Sequence, residues 1–235
     1  MIGTFVNVAT ILIGSFIGTT LKKGLSDRFH TILLQGMGLA VIGLGIGALT
    51  TNLPNSTYPV LFIISMALGG IIGEWIRFEE RFRSALSFIL RGQANEGVTT
   101  AILLFCVGTL SIVGPIEAAL NGQYTYLYSN AILDGFTSIV LAATFGFSIA
   151  FSAFVLLLWQ GSIYFLASFA SLFFTPELLT EISIIGGLLI LSTGLNILGI
   201  SSFKLLNLVP ALLIPILFFR PKNGYGLLDF PKNRQ

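Results

Sequence analysis

Eight predominantly apolar stretches follow one another along the chain, and polar or charged residues separate most of them. They cover about residues 2–21, 31–50, 58–77, 97–113, 129–147, 150–173, 182–200 and 204–219. Most approach the roughly 20 residues that an α-helix needs to cross the hydrocarbon core of a bilayer. The pattern therefore predicts an all-α, polytopic integral membrane helix bundle with about seven or eight membrane segments.

The composition agrees with this pattern and leaves little room for anything else. Of the 235 residues, 54% are hydrophobic and 9% are charged, whereas soluble domains carry about 25% charged residues. We expect one transmembrane domain over residues 1–220 and a short tail at 221–235. The N-terminus lacks the basic region of a secretory signal, so we expect the first segment to be retained as a helix.

Positive charge concentrates in two of the loops. Lysine and arginine follow the first and third segments, whereas the turns at 51–57 and 121–128 contain neither. The positive-inside rule therefore predicts that loops 22–30 and 78–96 are cytoplasmic and that the N-terminus lies outside. The mixture of charged and apolar residues in 78–96 also predicts a short amphipathic helix, more simply a connector than a functional lever.

The centre of the chain is predicted to be broken or re-entrant. Gly114-Pro115 interrupts the fourth segment and Asp134-Gly135 begins the fifth, and proline removes a helical hydrogen bond. Two topologies remain open. In the first, segments four and five do not both cross, and the C-terminus is cytoplasmic, as the basic residues of the tail favour. In the second, all eight segments cross, so that Lys204 lies inside and the tail outside.

Short glycine motifs suggest an internal repeat. Gly38 and Gly45 correspond to Gly187 and Gly194 at a constant offset, and Gly14-Ser15 recurs as Gly161-Ser162. The motifs indicate inverted three-helix repeats at 1–77 and 150–220 around a central unit at 97–147, an arrangement found in many transporters. Chance similarity among helices rich in glycine and leucine is the alternative.

Ionisable groups inside a membrane are costly and therefore informative. Glu117 and Asp134 are expected beside irregular backbone, where carboxylate and carbonyl oxygens could bind a hard cation or relay protons. The structural alternatives are that Glu117 lies at the outer interface and that Asp134 caps a helix. Glu74 follows a glycine-rich run and precedes Trp75, so a structural role at the cytoplasmic boundary is favoured.

Further polar residues and one glycine complete the candidate site. The predicted ion- or substrate-binding residues are Asp134, Glu117, Ser129, Asn130, Asn7, Asn196, Gln160 and Gly114. The alternative for the amides is that they only join helices, since interhelical hydrogen bonds in bilayers average about 0.6 kcal/mol.

The chain lacks the residues that several kinds of chemistry require. Cys106 is the single cysteine and His30 the single histidine, which argues against a disulfide framework, a zinc cluster and a Ser-His-Asp triad. The chain also lacks a phosphate-binding loop, a dinucleotide fingerprint and an H-E-x-x-H motif. We therefore predict that the chain is not an enzyme, uses no cofactor and binds no nucleic acid, while any metal stays unassigned.

The central residues resemble the motif of a bacterial membrane protein family. The resemblance rests on Cys106 to Gly114, Asn121-Gly122, Ser129 and Leu133 to Gly135, and extends over nearly the whole chain. On these residues the chain is identified as a member of the YdfK/YqgA-like family, a domain of unknown function (DUF554). The resemblance implies a transport protein of the bacterial cell (inner) membrane without an agreed substrate. The chain departs from the family pattern at Glu117 and Gln123, which makes both weaker candidates than Asp134.

These observations predict a transporter or channel for a small ion, most simply a cation such as Na⁺ or H⁺. The alternative is a non-transporting membrane sensor, assembly subunit or lipid-binding scaffold, because the sequence contains no substrate-specific motif. Besides the lipid bilayer, a second copy of the chain is the expected partner, since glycine-rich helical bundles often form homodimers.

Overall fold

The computed structural model describes residues 1–21, 27–89, 96–171 and 174–219. These residues contain helices and connections and no strand, which confirms the all-α class. The α-helices are α1 (Ile2–Thr20), α2 (Asp27–Asn52), α3 (Leu61–Trp75), α4 (Phe78–Ile89), α5 (Glu96–Val107), α6 (Leu110–Leu120), α7 (Thr125–Phe145), α8 (Phe151–Ser171), α9 (Pro176–Ile197) and α10 (Leu205–Leu208). Shorter 3₁₀ segments lie at Leu53–Asn55, Phe147–Ala150 and Val209–Leu217.

Length and apolarity alone identify some of the described helices as candidate membrane spans. Four described helices qualify, and the count rises to six if each of two bent helix pairs is one span. One bent pair joins α3 to α4 at 50°, and the other joins α5 to α6 at 44°. Polar side chains interrupt the sequence of α7, and the last helical segment is short, so neither adds to the count.

The first helix runs parallel to α7 in close contact with it. Gly3 packs against Leu127, Asn7 bonds to Asp134, and Gly18 meets Ala142, so contact positions advance together along both helices. A Cβ atom on Gly14 would collide with the backbone carbonyl of Gly135. The absence of a side chain at Gly14 is what allows the two helices to approach this closely.

The second helix runs antiparallel to α9 with a reciprocal set of glycine contacts. Gly38 lies against Gly194, and Gly45 lies against Gly187. In the predicted repeat, Gly38 corresponds to Gly187 and Gly45 to Gly194. Gly38 therefore contacts the counterpart of Gly45, and Gly45 contacts the counterpart of Gly38. Such reciprocity is the property of an interface with two-fold symmetry. The contacts are consistent with an inverted repeat, which itself stays a prediction.

The last helical segment runs antiparallel to α3. Gly73 packs against Asn207 and Gly69 against Ala211, while the rings of Tyr58 and Phe219 lie 5.4 Å apart. The segment thus begins at the end of the molecule where α3 turns into α4 and finishes beside the connection between α2 and α3. Because α3 is predicted to run from the outside inward, this direction fits the topology with eight crossings, in which Lys204 lies inside. The tail at 221–235 lies outside the described residues.

Polar contacts hold the start of this last segment to the corner between α3 and α4. The Lys204 ammonium and the Asn207 amide each donate to the Glu74 carboxylate at 2.7 Å, and Asn207 Oδ1 accepts from the Glu79 amide at 2.7 Å. The Glu74 carboxylate raises the pKa of Lys204. The favoured structural role of Glu74 fits these contacts, and α4 is a helix as predicted.

The helix break lies earlier than predicted. Helix α5 ends at Val107 and α6 begins at Leu110, so the bend falls at Gly108-Thr109, and Pro115 lies inside α6. Membrane helices tolerate an internal proline when neighbouring helices compensate for the lost hydrogen bond. Helix α7 continues without interruption through Asp134-Gly135, so the irregular backbone predicted there is wrong. Gly135 instead allows close packing against Thr10.

Candidate functional site

Three predicted residues form a buried polar group that we call the central cluster: Asn7, Asn130 and Asp134. The Asp134 Oδ2 atom accepts hydrogen bonds from Asn7 Nδ2 and from Asn130 Nδ2, each at 2.8 Å. The exposed fractions of the three residues are 0%, 4% and 6% for Asn7, Asn130 and Asp134. Asn130 and Asp134 share a face of α7 because they are four residues apart, and the close approach of α1 brings Asn7 onto that face.

The central cluster has an acidic group without a basic partner. Among the described residues no lysine or arginine forms an ion pair with Asp134. The two amide donors stabilise its carboxylate, but the Asn7 Oδ1 atom is buried and has no hydrogen-bond partner in the described part of the chain. Buried polar atoms are usually paired, so this oxygen requires an explanation.

A second polar contact lies close to the central cluster. Gln160 Nε2 donates to Ser111 Oγ at 3.1 Å, which ties α8 to α6. The side chain of Leu127 packs against Gly114 of α6 and Gly3 of α1, so these helices and α7 meet there. Ser111 lies about one turn from Gly114, and Asn130 about one turn from Leu127. Gln160 is therefore near the cluster, and its Oε1 atom is also buried without a partner among the described residues.

A polar cavity of about 550 Å³, which we call the vestibule, opens between α2, α6, α7 and α9. Glu117 lies in its wall and is 4% exposed. Asn121 Nδ2 donates to Glu117 Oε2 at 2.7 Å and to Ser183 Oγ at 2.9 Å. The other lining residues are Gly43, Leu44, Gly47, Ala48, Thr51, Asn52, Gln123, Thr125, Tyr126, Pro176, Leu179 and Thr180.

The vestibule extends from the ends of the helices into the bundle. Its lining runs along α2 from Asn52 at the helix end to Gly43, a separation of about 13 Å along the helix axis. No lysine or arginine is among the described residues that line it. The vestibule is therefore a polar recess whose formally charged side chain is the carboxylate of Glu117.

One face of α7 connects the vestibule to the central cluster. Tyr126 lines the vestibule, and Asn130 and Asp134 follow it at intervals of four residues. Residues with this spacing lie one above the other on a helix. The stripe leads from Tyr126, in the wall of the vestibule, toward the level of Asp134.

The remaining predicted site residues lie elsewhere. Ser129 is half-buried, and its hydroxyl bonds to the Thr125 carbonyl of its own helix at 2.9 Å. Asn196 holds the connection after α9 by accepting from Ser201 and Phe203 and donating to the Phe203 carbonyl. Gly114 lies within α6 and packs against Leu127 of α7. These contacts give the three residues local packing or backbone roles rather than a place in the cluster.

Sequence reasoning missed Glu181. This residue is 1% exposed, and its Oε1 atom accepts from Ser56 Oγ at 2.7 Å and from the Tyr58 amide at 3.1 Å. The sequence contained a signal, because Thr175 followed by Pro176 is a typical helix start. Thr175 does cap α9, which places Glu181 inside the helix beside the vestibule rather than in a loop.

Comparisons with known proteins agree with the family resemblance. Residues 2–220 match the model of the family described as "Protein of unknown function (DUF554)". The chain is 52% identical over 227 residues to the uncharacterized membrane protein YdfK of Bacillus subtilis (strain 168), covering 97% of this chain and 99% of that protein.

A second relative is more distant. The chain is 29% identical over 227 residues to the uncharacterized protein YqgA of Escherichia coli (strain K12), covering 91% of this chain and 94% of that protein. No solved structure gives a significant match. Since the family model matches nearly the whole length and YdfK is a membrane protein by name, the chain belongs to the DUF554 family of helical membrane proteins.

Proposed function

We propose that this chain is a transporter or channel for a small cation, which enters through the vestibule and passes Asp134. The observation that carries the proposal is the vestibule itself. It is a polar recess with a buried carboxylate and no basic lining residue among the described positions, in a chain that is otherwise strongly apolar. Intramembrane ionisable residues commonly mark ion pathways.

The charge and size of the vestibule favour a cation. A recess whose charge has one sign concentrates ions of the opposite sign, and Glu117 is the described lining residue that can carry a negative charge, next to hydroxyl and amide groups. A volume of about 550 Å³ is enough for a hydrated ion, because each liquid water occupies about 30 Å³. An anion would find no described lysine or arginine in the lining.

The position of Asp134 supports a pathway rather than a closed pocket. Asp134 lies in the middle of α7, two steps of four residues along the helix from Tyr126, which lines the vestibule. Transporters often place their ion sites near the bilayer midplane, beside discontinuous helices. The bent pair α5 and α6 is one of two discontinuous elements among the described residues.

The proposal is tested with the full-length protein in liposomes, by recording uptake of Na⁺ and movement of protons. The wild type is expected to show saturable cation flux. Glu117→Gln is expected to lower it roughly tenfold, which corresponds to about 1.4 kcal/mol. Ser129→Ala, at a half-buried position of α7 whose hydroxyl bonds within its own helix, is the matched control and keeps wild-type flux.

Two outcomes contradict the proposal. Flux equal to that of protein-free liposomes would refute cation transport and favour the sensor, assembly subunit or scaffold. Saturable flux that is the same in wild type and Glu117→Gln would remove the vestibule from the pathway.

A further inference from the structure

We infer that the central cluster, together with the carboxyl end of α5, is a binding site for one dehydrated monovalent cation of the size of Na⁺. The inference deepens the proposed function, because it names the ion and the site at which the ion loses its water. Its ligands are the Asp134 carboxylate, the Asn7 Oδ1 atom and backbone carbonyls at the break between α5 and α6.

The first support is the unpaired oxygen of Asn7. The Asn7 amide donates through Nδ2 to Asp134 at 2.8 Å, while its Oδ1 atom is buried and has no described partner. Both atoms belong to one amide group, so the unpaired oxygen lies next to the carboxylate. A carboxylate and a neighbouring amide oxygen, both screened from solvent, are the ligands that a hard cation prefers.

The second support is that the break between α5 and α6 lies at the same level of the bundle as Asp134. The short connection at 121–124 makes α6 and α7 antiparallel, and they touch where Gly114 meets Leu127. About two turns from this contact α7 carries Asp134, and seven residues before Gly114, just across the bend, α5 ends. Asp134 also lies close enough to Cys106 of α5 to interact with it electrostatically.

The helix break supplies carbonyl oxygens at that level. Gly108 and Thr109 separate α5 from α6 and belong to neither helix. The last carbonyls of a helix carry partial negative charge and lack partners in their own helix. In transporters with discontinuous helices, such ends help to coordinate Na⁺ or H⁺.

The surroundings restrict the kind of ion. The cluster contains one carboxylate, and no group of three or more His, Cys, Asp or Glu side chains that could hold a metal occurs in the described part of the chain. Ca²⁺ takes six to eight oxygen ligands, and Mg²⁺ usually keeps several waters. Asp134 is 6% exposed and Asn7 is fully buried, so an ion held between them is out of contact with bulk solvent. A bare monovalent ion satisfies both limits.

The test is Na⁺-dependent thermal unfolding of the full-length protein in detergent. Cys106 is the single cysteine and is buried, so a thiol-reactive fluorogenic dye reports unfolding. Ionic strength is held constant with choline chloride while NaCl or KCl is varied. Because a ligand that binds only the folded state stabilises it, the unfolding temperature is expected to rise with Na⁺. K⁺ is expected to bind roughly tenfold more weakly.

Matched variants separate binding from general stability. Asn7→Ala and Asn130→Ala each remove one donor to Asp134 Oδ2, but only Asn7→Ala also removes the unpaired oxygen. We expect Asp134→Asn and Asn7→Ala to lose the Na⁺-dependent shift, Asn130→Ala to retain a weaker shift, and Ser129→Ala to match the wild type. If Asp134→Asn does not fold, the comparison of the two alanine variants decides.

Several results would overturn the inference. The first is an unfolding temperature that shifts equally with Na⁺, K⁺ and choline. The second is an equal Na⁺-dependent shift in Asn7→Ala and Asn130→Ala. The third is an unfolding temperature that follows pH but not Na⁺, which would indicate a proton site. A Na⁺ shift without flux in liposomes would keep the inference and refute transport. Cation flux without a Na⁺ shift would refute the inference alone.

Discussion

Asp134 and Glu117 show how the same functional group acquires different properties from its neighbours. Asp134 is buried and accepts hydrogen bonds from two amides, whereas Glu117 has one amide partner and borders the vestibule. The first arrangement suits selective binding at short range, and the second suits attraction of a hydrated ion. The two carboxylates therefore belong to consecutive stages of the proposed pathway.

The hydrogen bond between Asn7 and Asp134 is expected to stabilise the fold. Asn7→Ala leaves the buried Asp134 Oδ2 atom with one described donor, so unfolding free energy should fall by about 1–3 kcal/mol. Asp134→Ala and the double variant complete a double-mutant cycle, measured by denaturant unfolding in mixed micelles. A coupling energy near zero would show that the two side chains do not stabilise one another.

Individual residues were predictable where polarity was unusual for the segment. Asn7, Asn130 and Asp134 are polar residues in apolar stretches, and the structure brings them together. Ser129 adjoins Asn130 in sequence but faces away, because consecutive helical residues point about 100° apart. Which polar residues would meet depended on the packing of α1 against α7, and that packing is not visible in either segment alone.

At the scale of elements, glycines determine which helices approach closely. A Cβ atom on Gly45 would lie 2.6 Å from the Leu191 amide nitrogen, whereas a Cβ atom on Gly36 would meet nothing within 4 Å. Both residues lie in α2. The sequence showed a row of glycines on this helix but did not distinguish those in contact with α9 from those on open faces.

This difference gives a matched pair of substitutions. Gly45→Ala is expected to destabilise the protein by about 1–3 kcal/mol through overpacking against α9. Gly36→Ala should stabilise it by up to about 1 kcal/mol, because alanine has the higher helix propensity. Thermal unfolding of both variants measures the contrast. Equal effects would mean that α2 and α9 do not touch at Gly45.

The bent region illustrates what sequence patterns miss at this scale. Proline was a rational marker for a break, yet α6 contains Pro115 and the chain bends at Gly108-Thr109. Likewise, Asp134-Gly135 looked like a helix start but lies in mid-helix. Tertiary packing compensates for a missing hydrogen bond or a glycine inside a helix, so these local signals gave the region of the break but not its position.

At the scale of the whole molecule, the vestibule opens at one end of the bundle. The end of α2, the connection at 121–124 and the start of α9 surround its opening. At the opposite end, Lys204 and Asn207 bind Glu74. The distribution of lysine and arginine among the loops indicated which end of the bundle is positively charged. A cavity between four helices, however, depends on how the helices pack, and the sequence alone does not show that packing.

Water access to the vestibule can be tested with two adjacent positions. Gly47 lines the vestibule and has open space at its Cβ, whereas the Ile46 side chain is 48% exposed outside it. We expect Gly47→Cys to react with a charged methanethiosulfonate reagent at least about tenfold faster than Ile46→Cys, because the reactive thiolate requires water. Similar rates at both positions in proteoliposomes would argue against a hydrated vestibule.

The direction of the last helical segment has a consequence for reporter fusions. Because Phe219 lies beside Tyr58 and α1 begins level with Leu127, the first residue and residue 219 reach the same end of the bundle. Positive-inside charge assigns this end to the exterior. Alkaline phosphatase joined after Phe219 is then expected to be active and a cytosolic fluorescent protein dark, whereas insertion at Lys204 should reverse both signals. A bright fluorescent fusion after Phe219 would place that end of the protein in the cytoplasm.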